Sequence, residues 1–226
     1  MQEGIKLIER IRFKRVNEED EEKINKLTES TWGWGDYNPK IFDRWVREGL
    51  FIKAVDEYDN ILGMIHVRLF EDFAWLEGVR VKQEIRRKGI GKLLARNAMD
   101  LSNKRVFRLV ANEKNVPSIQ LARSLGFREI DEFNFISFGM EASYDQIVKE
   151  LDLHEVNDDL NLSGYVDDWV WFPIEKYKKK KYGNEKIILL ETNPPFLAKG
   201  YVEGYKQISK DFSINSERYI VYELKI

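Results

Sequence analysis

The sequence predicts an α/β chain: a mixed β-sheet with helices on its faces over residues 1–140, followed by a strand-rich α+β extension over residues 141–226. Two observations lead there. Up to about residue 140, stretches with apolar residues at every second position alternate with stretches at helical spacing, in the order β, α, α, β, β, β, α, β, α, β. From Tyr144 onwards that alternation gives way to short strand-like runs separated by charged segments. Hydrophobic residues make up 43% of the 226, enough to bury a core under both regions.

Each element has a local cause. Ile11 to Val16 alternates apolar and basic residues, which argues a half-buried strand. Asn17 caps the helix that follows; acids load its first turn, and Ile24 and Leu27 form its apolar face. Trp32-Gly33-Trp34-Gly35-Asp36-Tyr37-Asn38-Pro39 is an aromatic, glycine-rich loop, and a second helix from Ile41 to Arg47 offers Phe42 and Trp45 to whatever it packs on. Aromatics beside a carboxylate suit either a substrate pocket or a core anchor. Leu50 to Val55 and Ile61 to Leu69 form a hairpin around Asp59-Asn60. His66, on the second of these strands, fits a packed or solvated side chain better than a catalyst. Phe73 to Val81 is the next strand, and strict alternation would place Glu77, Val79 and Val81 on one face.

After it comes Arg86-Arg87-Lys88-Gly89-Ile90-Gly91-Lys92, where cations and two glycines meet the start of a helix. Residues without a Cβ let backbone N–H groups approach an anion, and the helix adds its unpaired amides and positive dipole end. The stretch suits a pyrophosphate grip or a strand-to-helix turn with solvated charges. Ile90, Leu93, Leu94, Ala98 and Leu101 are the stripe that this helix should bury. Val106 to Ala111 is a strand. Asn115 to Leu125 is a helix with Pro117 in its first turn and Gly126 at its stop, and an extended stretch runs from Phe127 to about Met140. In the extension, Tyr144 to Leu151 forms a helix on Ile147, Val148 and Leu151, and Leu153 to Ser163 is acidic and loop-like. Tyr165 to Ile174 and Lys186 to Glu191 are strands flanking the basic tip Lys176 to Lys181. Asn193-Pro194-Pro195 breaks the pattern, and Tyr219 to Ile226 is a closing strand.

Composition narrows the function. Thirty-seven cations against 39 anions give a net charge of −2, so no general attraction to nucleic acid is expected. Cysteine is absent, which removes disulfides, thiol nucleophiles and Cys-based zinc sites. With His66 and His154 as the only histidines, a metal centre or a Ser-His-Asp triad is poorly supplied, and no metal is expected. No apolar run approaches 20 residues, so the expectation is a soluble, cytoplasmic protein with no membrane role.

Val79-Arg80-Val81 followed by Arg86-Arg87-Lys88-Gly89-Ile90-Gly91 resembles the acyl-CoA signature of the GCN5-related N-acetyltransferases (GNAT), and Asn115-Val116-Pro117 with Leu125-Gly126-Phe127 resembles that family's second motif. The order of elements agrees with the family from about Ile11 to Met140. A dinucleotide fingerprint would need a third glycine where Leu94 stands, and a βαβ unit around it. The resemblance implies an N-acetyltransferase that moves an acetyl or other acyl group from its CoA thioester to a primary amine of a small molecule, amino acid or peptide N-terminus. The protein would be a monomer or a homodimer.

The resemblance also assigns roles. The pyrophosphate would rest on Arg86, Arg87, Lys88, Gly89, Ile90, Gly91 and Lys92, and the pantetheine arm would pair along Val79, Arg80 and Val81. The N–H of Val81 would face the thioester carbonyl, and Asn115 would hold the far side of the arm. Glu77, four residues before Val81, stands where family members often carry a catalytic glutamate. It would be a base with a raised pKa or, alternatively, a carboxylate paired with Arg80 or Arg68. Asp36-Tyr37-x-Pro39 with Phe42 and Trp45 is similar to a stretch of the histidine N-acetyltransferase-like subgroup, which places Trp32, Asp36 and Tyr37 on the substrate side. Two positions depart from the family. Ala122 stands where many members have a proton-donating tyrosine, and Val110 where some have a glutamate. Water or another hydroxyl, such as Ser124 or Tyr37, would then protonate the thiolate, or the thiolate would leave unassisted. A non-catalytic acyl-CoA sensor is the alternative function.

Overall fold

The structure, a computed structural model, describes residues 10–29, 31, 36–138, 143–156, 162–193, 196–199, 206–209 and 212–226. The chain forms two compact units. The first comprises Met1–Arg108, Gln120–Phe127 and Glu223–Ile226, and the second Leu109–Ile119 and Arg128–Tyr222. The 1–140 and 141–226 division expected from the sequence follows chain order, whereas these units do not: the chain re-enters the first unit at its last residues. There Arg108 Nε donates to Glu223 Oε2 at 2.9 Å and the Ile226 amide donates to the Arg105 carbonyl at 3.0 Å.

The first unit is built on an antiparallel meander of β1 (Arg12–Arg15), β2 (Leu50–Val55), β3 (Ile61–Leu69) and β4 (Ala74–Val81). β5 (Val106–Asn112) begins there and pairs parallel to β4 at Ala74↔Phe107 and Trp75↔Arg108. The β2–β3 turn holds Asp59 at φ +64, and Asp56 secures it by accepting from the amides of Tyr58 and Asn60. On one face of the sheet lie α1 (Glu21–Thr28) and α2 (Asn38–Arg47), and Val16, Ile24, Phe42, Trp45, Phe51 and Met64 make one buried cluster. Phe42 and Trp45 are therefore core residues. A short 3-10 turn at Glu18–Asp20 precedes α1, with the Asn17 amide donating to Asp20 Oδ2 at 3.0 Å.

On the other face lies α3 (Ile90–Ser102), which packs on β2, β3 and β4. Its buried side is Ile90, Leu94, Ala95, Ala98, Met99 and Ser102. The expected stripe is rotated: Leu101 sits at the edge of the buried arc in the last turn and is 55% exposed, while Ala95 and Met99 take the inner positions.

The second unit contains the start of α4 (Val116–Leu125) as far as Ile119, the strands β6 (Arg128–Phe138) to β13 (Lys206–Ser209), and the bulk of β14 (Phe212–Lys225). β6, β12 (Phe196–Lys199), β11 (Ile188–Leu190), β10 (Lys181–Gly183) and β7 (His154–Glu155) follow one another as antiparallel neighbours. α5 (Tyr144–Glu150) is opened by a capping box, with the Ser143 amide on Gln146 Oε1 at 2.9 Å, and it buries Ile147 against Leu153 and Leu189. The single strand expected from Tyr165 to Ile174 is a hairpin, β8 (Gly164–Asp167) and β9 (Val170–Pro173), which forms a separate two-stranded sheet. Its two-residue turn places Asp168 at φ +46 and Trp169 at φ +65. Such turns favour glycine or asparagine, so Asp168-Trp169 gave no turn signal and the alternation ran through it. The basic stretch from Lys176 leads through β10 into β11, with Lys180 paired to Glu155 at 3.2 Å. Among the described residues, no helix is long and apolar enough to cross a membrane.

Candidate active site

The site is organised by an irregularity in β4. The β3–β4 register runs Gly63↔Val81 and Met64↔Arg80, then slips to His66↔Glu77, so β4 carries one extra residue. Gly78 sits in the bulge at φ +65, and a Cβ there would lie 2.2 Å from Cη2 of Trp45. Opposed residues share a face. Glu77 therefore lies with His66, and Arg80 with Met64, on the side of α1 and α2. Val81 lies with Gly63 on the opposite side. Strict alternation would have put Glu77 with Val79 and Val81; the bulge reverses it. The amide of Lys82 donates to the Leu62 carbonyl at 2.9 Å, which sets the phase of the ladder and turns the main-chain groups of Val79 and Val81 away from β3.

Beside Val79 and Val81 stands the start of α3. Arg87 (φ +61) and Gly89 (φ +86) are both left-handed, and Gly89 caps the helix with no side chain to compete for its amides. The first helical bond runs from the Leu93 amide to the Gly89 carbonyl at 3.1 Å, so the N–H groups of Ile90, Gly91 and Lys92 have no acceptor within the helix. A Cβ on Gly91 would lie 3.6–3.7 Å from side-chain carbons of Val81, Leu121 and Val79, which places these amides close to β4. Arg86 Nε donates to the Val81 carbonyl at 3.0 Å, Lys92 Nζ donates to the Ser124 carbonyl at 2.7 Å, and Arg87 and Lys88 are exposed. The result is a positively charged turn whose amides suit a diphosphate.

On the other face, Glu77 is held by His66 and Arg68. Its Oε1 faces His66 Nδ1 at 2.8 Å and accepts from Arg68 Nε at 3.1 Å. Burial alone would raise the Glu77 pKa, but the His66 hydrogen bond and the Arg68 charge outweigh it and hold the carboxyl below the ordinary glutamate value. The raised pKa expected of a base on an apolar strand is thus corrected, and Arg68 is the partner foreseen in the alternative. His66 is completely buried, with Nε2 at 2.8 Å from the Glu48 carbonyl and its ring stacked on Trp45 at 4.6 Å and 6°.

Arg80 also points to this face. Its Nε donates to Asp36 Oδ2 at 2.8 Å, its guanidinium lies 5.3 Å from the Tyr37 ring centroid, and the Asp36 side chain is 1% exposed. Burial would lower the Arg80 pKa; Tyr37 and Asp36 raise it overall. Burial raises that of Tyr37, against the opposing Arg80 charge, so the phenol stays protonated. Asp36 and Tyr37 thus share a face with Glu77, with Asp36 engaged by Arg80. Trp32 lies outside the described residues. Asn115 belongs to the second unit, where its Oδ1 accepts from the Ser118 amide at 3.3 Å and helps cap α4. Ala122 is fully buried, and the Ser124 hydroxyl donates to the Leu121 carbonyl at 2.9 Å. Among the described residues, no group of three or more His, Cys, Asp or Glu is placed to hold a metal. Sequence reasoning named Arg68 as one alternative partner of Glu77 and missed His66, because the register depends on the bulge; a glycine inside a strand was the available signal.

Residues 18–127 match the model of the acetyltransferase (GNAT) family. No curated protein sequence matches the chain. Among solved structures, a putative acetyltransferase from Thermoplasma acidophilum superposes with a TM-score of 0.62 at 16% identity, covering 95% of this chain and all of that one. The ribosomal-protein-S18-alanine N-acetyltransferase from Escherichia coli gives a TM-score of 0.52 at 12% identity, covering 96% and 94%. At such identities these likenesses speak for the fold alone.

Proposed function

Because residues 18–127 belong to the GNAT acetyltransferase family, we propose that this protein transfers an acetyl group from acetyl-CoA to a primary amine by direct attack on the thioester. The observation that carries the reading is the left-handed turn Arg87–Gly89, whose following amides lie next to the outward-facing edge of Val79–Val81. In this reading, the pyrophosphate sits on the amides from Ile90 to Lys92 under Arg87 and Lys88. The pantetheine arm adds to β4, and the Val81 N–H donates to the thioester oxygen as charge develops there.

The nitrogen lone pair forms a bond to the acyl carbon, the carbonyl carbon–sulfur bond breaks, and CoA leaves as a thiolate that takes up a proton. The nitrogen loses one proton, which Glu77 accepts. A carboxylate held low in pKa is a weak base for a free ammonium, so it acts once C–N bond formation has made the nitrogen acidic. An α-amine, with a pKa of about 8, is neutral more often than a lysine ε-amine near pH 7, which favours amino acids, peptide N-termini and similar small amines as acceptors. A second reading, an acyl-CoA sensor without turnover, draws on Ala122, which is buried where many family members have a tyrosine.

One experiment separates them: thiol release from acetyl-CoA across a panel of primary amines, with affinity measured by calorimetry. The expected outcome is turnover with at least one amine, and a fall in kcat of about 100-fold in Glu77→Gln with acetyl-CoA affinity kept. Binding without turnover across the panel would favour the sensor. Unchanged affinity in both Arg87→Ala and Gly89→Glu would sink the CoA reading itself.

A further inference from the structure

The two oxygens of Glu77 are unequal. Oε1 takes both contacts to the carboxylate, from His66 Nδ1 at 2.8 Å and Arg68 Nε at 3.1 Å, while Oε2 has no hydrogen-bond partner among the described residues. His66 has no freedom of its own. Trp45 stacks on one side of the ring at 4.6 Å, Phe51 meets it edge-on at 5.8 Å, and Nε2 is held on the Glu48 carbonyl at 2.8 Å. That carbonyl is itself fixed, because the next residue, Gly49, turns at φ +65 against β3; a Cβ there would lie 2.1 Å from the Val67 carbonyl oxygen. Both ring nitrogens face oxygen atoms, so the ring is held from each end and cannot turn away from the carboxylate.

We infer that His66, together with Arg68, is a positioning clamp on Oε1 of Glu77 that reserves Oε2 as the oxygen taking the acceptor amine's proton. The inference rests on the reading of Glu77 as proton acceptor and adds which oxygen acts and what aims it. The N–H bond of the nitrogen breaks, an O–H bond forms at Oε2, and the clamp loses no proton. Without the clamp, the carboxylate turns about its last side-chain bond and spreads its hydrogen bonds over both oxygens. Other ionisable groups on this face are Arg80, paired with Asp36, Lys53, paired with Asp20, and Tyr37, whose phenol is itself sensitive to the Glu77 charge.

The test is the pH dependence of kcat/KM for wild type, His66→Asn, Arg68→Gln and Glu77→Gln, with acetyl-CoA and an accepted amine. In His66→Asn the acid limb should move up by about one pH unit, because the hydrogen bond that holds the Glu77 carboxyl low is lost. Its kcat should fall about 10- to 100-fold, as a misaimed base allows, with KM for acetyl-CoA unchanged. Arg68→Gln should move the limb in the same direction. A merely structural His66 would lower the melting temperature and leave the limb in place, and that result would overturn the clamp. Should His66→Asn fail to fold, an unmoved limb in Arg68→Gln would do the same. Wild-type activity in Glu77→Gln would instead overturn the proton-acceptor reading, and the clamp with it.

Discussion

Arg80 is a cation held at the edge of the core, with 12% of its side chain exposed and its guanidinium matched to a fully enclosed Asp36. Removing the carboxylate takes away the counter-charge of a largely buried guanidinium. Asp36→Ala should therefore cost about 2–3 kcal/mol in urea unfolding, with Asp36→Asn losing less because it can still accept from the Asn38 amide. Equal stability of Asp36→Ala and wild type would refute the pair's structural weight. The sequence carried enough to single out Asp36, Glu77 and the cationic turn, since each is a residue type with a spacing. It carried less about what those residues touch. Asp36 and Arg80 are joined only after the chain has folded back through one helix and a hairpin, and His66 meets Glu77 through a cross-strand register that the apolar pattern does not set.

Among the elements, β4 decides most. Its bulge turns Glu77 and Arg80 to one face and Val79 and Val81 to the other, and Gly78 is the hinge of that change. Gly78→Ala meets both a left-handed backbone and the Trp45 ring, so it should destabilise by about 2–4 kcal/mol. Acetyltransferase activity should fall further than stability alone explains, because Trp45 also supports His66; activity measured well below the melting temperature checks this. Helices and hairpins here were legible because their causes are local: Pro39 near the start of α2, Asp59 in its turn, the glycines at α3. The bulge was not, since one extra residue in a strand leaves the apolar pattern almost intact while inverting which side chains meet.

For the molecule as a whole, acid should be the sensitive direction. Burial would raise the carboxyls of Glu77 and Glu223, but His66 and Arg68 in the first case, and Lys225 and Arg108 in the second, hold both below the ordinary glutamate value. Asp56 is lowered too, as the bonds from Asn60 and Tyr58 outweigh its slight burial. A group whose folded pKa lies below its unfolded one stabilises above the unfolded value and loses that contribution as pH falls through the folded one. The melting temperature should thus hold steady from neutral to about pH 5 and drop towards pH 3, and a flat profile across that window would contradict the assignment. The order of elements through the first 140 residues was readable in advance because periodicity and turn chemistry agree there. The extension was less so, because its strands are short and Asp168-Trp169 turns without glycine.

The return of Glu223–Ile226 to the first unit has a kinetic side. The β2–β3 hairpin can form from adjacent residues within microseconds, but Arg108 meets Glu223, and the Arg105 carbonyl meets Ile226, only after the intervening chain of the second unit has been looped out. A contact that spans so much sequence is entropically late. Until β14 has been made, β5 has no neighbour along one edge and Arg108 lacks Glu223.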